Sequence, residues 1–169
     1  MEIVVTPLGL HDAVLECGSK QFRAAVGRAG IGSKQSEGDG ITPTGVFALR
    51  KVLYRADRIV RPQTSLPLAA ITHDDGWCDA PDDPAYNKLV RCPYQASAEA
   101  LWRNDHLYDL VVVIGFNDAP VVPGAGSAIF LHVARDHYGP TQGCIALAVS
   151  DLAEIVAKLA PGDTIAIRA

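Results

Sequence analysis

The chain has no excess of positive charge: 15 Lys and Arg stand against 19 Asp and Glu, a formal charge of −4. That balance argues against a nucleic-acid surface, which needs clustered basic residues. Long apolar runs are also missing. No stretch approaches the roughly 18 residues that cross a bilayer as a helix, so no membrane span is expected. The four cysteines (Cys17, Cys78, Cys92, Cys144) form no C-x-x-C pair, which removes the commonest zinc and dithiol spacings. The glycine-rich stretch Gly27–Gly45 lacks both the G-K-[ST] ending of a P-loop and a GxGxxG turn. Nor do the carboxylates of Thr72–Asn87 fall at calcium-loop spacing. The opening MEIVVTPLGLHDAVLEC has no basic start and no long apolar core, and Glu2 and Asp12 interrupt it. The expectation is a cytoplasmic protein with free thiols, or a periplasmic one if a leader precedes Met1.

What the chain does have is apolar residues, 49% of 169, enough for one domain over 1–169 with a sizeable core. Ile3–Thr6, Ala13–Cys17 and Gln21–Val26 alternate as short strands, with Cys17 as a small inward residue. Val46–Tyr54 and Thr164–Arg168 read as further strands. Leu110–Phe116 is almost uninterrupted in β-branched residues and predicts a central strand buried on both faces. Ser97–Arg103 reads as a short helix capped by Ser97. A second helix, capped by Ser150 or Asp151, places Leu152, Ile155, Val156 and Leu159 on one face. The acidic Thr72–Asn87 reads as a loop, in which Trp77 and Tyr86 suggest a wall for a ligand. The expectation is a mainly β fold, sandwich or barrel-like, with one or two short helices.

The chemistry concentrates in Ser127–Ala148. An apolar run ends at His132, a turn-rich connection follows, and Gly143–Cys144 opens a second apolar run. If the two strands pair, an imidazole and a thiol meet at one end of a sheet. A cysteine attacks as thiolate, so it needs such a base beside it. Gly143, without a side chain, admits a substrate carbonyl close to the backbone, and the N–H groups of Gly143 and Cys144 are candidate oxyanion donors.

His132, then Thr141–Gln142–Gly143–Cys144–Ile145, with Thr42–Pro43–x–Gly45–x–Phe47 upstream, resembles the YkuD family of L,D-transpeptidase catalytic domains. The segments around Trp77, Tyr86–Asn87, Tyr108–Asp109–Leu110 and Gly126–Ser127–x–Ile129–Phe130 are similar to a compact branch of that family. The resemblance implies Cys144 as the acylated nucleophile, His132 as its base, and the backbone at Gly143 and Cys144 as oxyanion site. Two positions depart from the family's usual pattern: Gln142 stands where a histidine is common, and Ala146 where a polar residue is. Gln142 can hydrogen-bond but cannot titrate, which leaves the proton to His132. His137, in the intervening loop, is a second candidate. Thr141, Gln142, Arg135, Trp77, Tyr86, Asn87 and His137 make up the candidate substrate-binding set.

The resemblance implies acyl transfer on peptidoglycan stem peptides or muropeptides. The thiolate attacks the carbonyl at the L-centre of the diamino acid, D-alanine leaves, and a thioester forms. Resolution by water makes an L,D-carboxypeptidase; resolution by an amine makes a crosslinking L,D-transpeptidase. The plain N-terminus tips the expectation to the carboxypeptidase and to muropeptide recycling. No cofactor is implied. A non-catalytic muropeptide-binding module, and a metal site drawn from His73, Cys78, His132 and His137, are the readings from other classes.

Overall fold

The computed structural model describes Met1–Ala169. Alternation shapes its first three strands: β1 (Glu2–Pro7), β2 (Asp12–Cys17) and β3 (Lys20–Ala25). Ile3, Val5, Ala13, Leu15, Cys17, Phe22 and Ala24 all turn into one core. The glycine-rich stretch contributes only the short β4 (Ile31–Gly32) and β5 (Thr42–Pro43), before the long β6 (Gly45–Tyr54). Then follow β7 (Leu68–Ala70), β8 (Asp75–Cys78), β9 (Leu89–Arg91), β10 (Ala98–Ala100) and β11 (Leu110–Ile114). The chain ends with β12 (Phe130–Val133), β13 (Ile145–Leu147), helix α1 (Val149–Val156) and β14 (Thr164–Ile167).

Eight strands close on themselves in the order β6-β11-β12-β13-β3-β2-β1-β14, with β14 returning to β6. Closure leaves these strands no open edge and encloses a core of 26 buried residues. The mainly β, barrel-like expectation is met. Two pairings, β1–β14 and β12–β13, are parallel. As the β-branched run required, β11 is buried at every position. Its two faces serve different cores. Leu110, Val112 and Ile114 point into the barrel; Val111 and Val113 point outward and join Phe130, Trp77, Leu101, Leu107 and Tyr108. That outer core is covered by a separate three-stranded sheet, β10-β8-β9.

Three local expectations are corrected. Ser97–Arg103 is not a helix: Ala98 and Glu99 pair with Cys78 and Trp77 across β10 and β8. Its helix-forming Ala, Glu and Leu are overridden by a tertiary partner. The acidic Thr72–Asn87 is not a plain loop either. Within it β8 is buried at all four positions, because the Asp75 carboxylate is satisfied by the Thr72 N–H and the Arg91 guanidinium, each at 2.8 Å. The single α-helix is capped earlier in the chain than read, at Ala148 rather than at Ser150 or Asp151. Ala148 occupies the cap and makes no side-chain capping bond, so Ser150 and Asp151 sit inside the first turn. No helix is long and apolar enough to cross a membrane.

Candidate active site

Register explains why an imidazole and a thiol share one face. His132 pairs with Ala146 and Leu131 with Ile145 across the parallel β12–β13 ladder. Side chains alternate with period two, so Phe130, His132, Cys144 and Ala146 all point to the outer side of the barrel. Sequence reading brought the strand ends together; the structure instead aligns the strands in parallel. The connection between them, which includes the 3-10 turn Asp136–Tyr138, brings Cys144 back beside Phe130. Both His132 and Cys144 line a cavity of about 430 Å³, in the size range of small-ligand sites.

The thiol is held by the chain segment opposite it. Cys144 Sγ donates to the Ala128 carbonyl at 3.2 Å and accepts from the Phe130 N–H at 3.4 Å. Burial pushes this thiol up to about 12, with the nearby Glu99 charge adding to the effect. His132 is also buried, which lowers its imidazole to about 4. Its Nδ1 lies 2.8 Å from the Val133 carbonyl. A carbonyl only accepts, so the proton sits on Nδ1 and Nε2 is left as the basic nitrogen. The resting pair is therefore a neutral thiol and a neutral imidazole that line one cavity.

A hydroxyl network anchors the backbone of Cys144. Thr141 Oγ1 donates to the Cys144 carbonyl at 2.6 Å and accepts from the Gly143 N–H at 3.1 Å. Thr42, from the upstream Thr42–Pro43 motif, donates to the same carbonyl at 3.4 Å and accepts from the Gly27 N–H at 2.8 Å. The Gly143 N–H is thus already engaged, which corrects its assignment as an oxyanion donor. The Cys144 N–H has no acceptor in the chain and is a free backbone donor.

Of the candidate substrate-binding residues, Arg135, Thr141 and Gln142 line the cavity; His137, Trp77, Tyr86 and Asn87 do not. Arg135 is exposed and makes no ion pair. His137 is exposed in the 3-10 turn. Trp77, Tyr86 and Asn87 are buried and support the segment that holds the thiol. Asn87 Oδ1 accepts from Trp77 Nε1 at 2.9 Å and from the Ala128 N–H at 3.0 Å. Its Nδ2 donates to the Phe116 and Asn117 carbonyls. Tyr86 accepts from the Gly126 N–H at 3.0 Å and donates to Glu37 at 2.5 Å. Aromatic bulk on a polar stretch signalled importance, but its target was the protein itself.

This arrangement makes a sharp prediction for Asn87. Asn87→Ala leaves two N–H groups and two carbonyls without partners, a cost of about 2–5 kcal/mol. Because Asn87 stands outside the cavity, kcat should fall at least tenfold while KM changes little. Denaturant titration and steady-state kinetics read the two effects separately.

Sequence reading gave Tyr108 no place in the site and missed Glu99 and Asp79. The Tyr108 ring stands edge-on to the His132 ring with centroids 5.4 Å apart, and its hydroxyl donates to Glu99 at 2.6 Å. Asp79 and Glu99 were hidden in segments read as loop and helix, so nothing placed them on a cavity wall. His73, Cys78, His132 and His137 do not converge: no group of three or more His, Cys, Asp or Glu side chains is placed to hold a metal ion.

The chain matches the YkuD family model, described as an L,D-transpeptidase catalytic domain, over residues 15–167. No curated protein matches it. Among solved structures it is similar to L,D-transpeptidase 1 of Mycobacterium tuberculosis, at 13% identity and a TM-score of 0.42. That likeness covers 98% of this chain and 61% of the other.

Proposed function

The chain belongs to the YkuD family of L,D-transpeptidase catalytic domains, and we propose that it removes the terminal D-alanine from peptidoglycan stem tetrapeptides as an L,D-carboxypeptidase. One observation carries the reading. A buried thiol, an imidazole whose free nitrogen is Nε2, and an unengaged Cys144 N–H belong to one cavity.

The steps follow from that geometry. The carbonyl at the L-centre of the diamino acid enters beside Sγ, its oxygen toward the Cys144 N–H. With the thiol near 12 and the imidazole near 4, a free thiolate–imidazolium pair does not form in the empty site. Proton transfer from Sγ to Nε2 therefore accompanies formation of the S–C bond. The imidazolium then gives that proton to the departing nitrogen as the C–N bond breaks, releasing D-alanine and leaving a thioester. Water attacks the thioester, His132 takes its proton and returns it to sulfur, and the tripeptide leaves with a new carboxylate. Val133 holds the ring in one tautomer throughout. The unpaired Arg135 suits the carboxylate of the departing D-alanine.

A cavity of about 430 Å³ has room for the peptide tail that carries the reacting carbonyl. Four cysteines, none in a disulfide, suit a reducing compartment, and the proposal places the enzyme in the cytoplasm, acting on recycled stems. The test incubates the protein with a disaccharide-tetrapeptide and follows products by mass. Loss of one alanine, absent in Cys144→Ala, is the expected result. A crosslinked dimer would replace the carboxypeptidase reading with transpeptidation. Binding without any turnover would favour a muropeptide-binding module.

A further inference from the structure

Opposite the barrel's thiol and imidazole, the cavity is walled by the covering sheet, and that wall is acidic. Asp79 and Glu99 line it, and Glu37 reaches the cavity from the glycine-rich stretch between β4 and β5. Glu99 lies on β10, and Asp79 follows β8 with its N–H bonded to the Ser97 carbonyl at 3.2 Å. The two are diagonal neighbours on one face of an antiparallel pair. Two of the three cations that line the cavity already have partners, and the third, Arg135, is exposed at its edge. Lys34 pairs with Asp39 at 2.6 Å, and Arg103 chelates Asp105 at 2.8 and 2.7 Å while its Nη1 stays 3.7 Å from Glu99 Oε1.

Two polar atoms in this cavity lack any partner. Asp79 Oδ1 and Ser127 Oγ are both buried and unbonded. Ser127 is only 6% exposed and lines the cavity. Buried acceptors rarely stay unmatched, so this wall calls for a donor from outside the chain. An ammonium suits it best: it carries positive charge and three N–H donors but no acceptor.

We propose that Asp79, Glu99 and Ser127 form the recognition site for the side-chain ammonium of the diamino acid whose carbonyl Cys144 attacks. The inference rests on the acyl-transfer reading above and assigns residues to specificity that the nucleophile and base do not supply. It also couples recognition to chemistry. The Glu99 charge opposes ionisation of Cys144, so an ammonium docked on this wall cancels that opposition as substrate arrives. Stems with the free amine then both bind and activate the thiol.

The test uses Cys144→Ala protein and two tetrapeptides, one with the side-chain amine free and one with it acetylated. Calorimetry should show binding at least thirtyfold weaker for the acetylated peptide. That preference should vanish when Asp79→Asn or, as a second variant, Glu99→Gln is added. Equal binding of the two peptides overturns the proposal. D-alanine release by the unmutated protein is read in parallel. Equal release from both peptides, bound equally, sinks the ammonium site and leaves acyl transfer standing. Preferential binding with no release from either peptide sinks acyl transfer and keeps the site. Binding of neither peptide overturns both.

Discussion

Replacing His132 with glutamine is expected to lower kcat/KM about a thousandfold, the usual worth of a positioned general base. Glutamine keeps a donor for the Val133 carbonyl but offers no nitrogen that can take the thiol proton. The neutral resting pair adds a pH signature. With the His132 imidazole lowered to about 4 by burial, the base stays competent well below the ordinary histidine range. The acid limb of kcat/KM should then fall near pH 4. A limb near 6.5 would mean that His132 is solvated or is not the base.

The same burial ties stability to pH through one residue. In the unfolded chain His132 protonates near 6.5, whereas in the folded chain it resists until about 4. As pH falls through that window the unfolded state binds the proton first, so stability is full above 6.5 and is lost toward 4. The displacement corresponds to about 3 kcal/mol. Urea titrations at pH 7 and pH 4.5 should show most of that loss in the unmutated protein and much less in His132→Gln. Carboxylates held below their usual range, such as Asp39 beside Lys34, lose their contribution at lower pH, so the difference between the two proteins isolates the histidine.

The way sequence and structure correspond follows from where each residue's partner lies. The inward alternation of Ala13, Leu15 and Cys17, and the two-sided burial of β11, depend on local pattern and were readable from it. The His132–Cys144 pair was readable too, because each closes or opens an apolar run. What could not be read depends on distant partners. Glu99 looks helical until Trp77 pairs with it, and Asp75 looks solvated until Arg91 reaches it, sixteen positions away in sequence. Trp77 and Asn87 were marked as important, but their direction was not. Only the closed barrel shows that they back the Ala128 carbonyl against the thiol. The acidic wall of the cavity was hidden for the same reason, since it belongs to the sheet that sequence reading divided into a loop and a helix.

Gly143 is where these long-range constraints converge, and Gly143→Ala should be among the most damaging single changes outside the reacting pair. Its φ of +134° suits glycine and strains any L side chain. A Cβ there would lie 2.8 Å from the Ile41 carbonyl oxygen, too close for that backbone to remain in place. Ile41 precedes Thr42, which bonds both the Gly27 N–H and the Cys144 carbonyl. Displacing it loosens the nucleophile's anchor along with the loop that closes the cavity. Strain and overpacking together should cost about 3–5 kcal/mol, and kcat/KM should fall at least a hundredfold, in step with slower alkylation of Cys144. Gly162→Ala provides the comparison: its φ is +93°, and nothing lies within 4 Å of the added methyl. That variant meets the conformational strain alone, about 1 kcal/mol, far from the cavity. If the two substitutions prove equally mild, the close approach of Ile41 to the nucleophile turn has no energetic weight, and the anchoring role given to Thr42 falls with it.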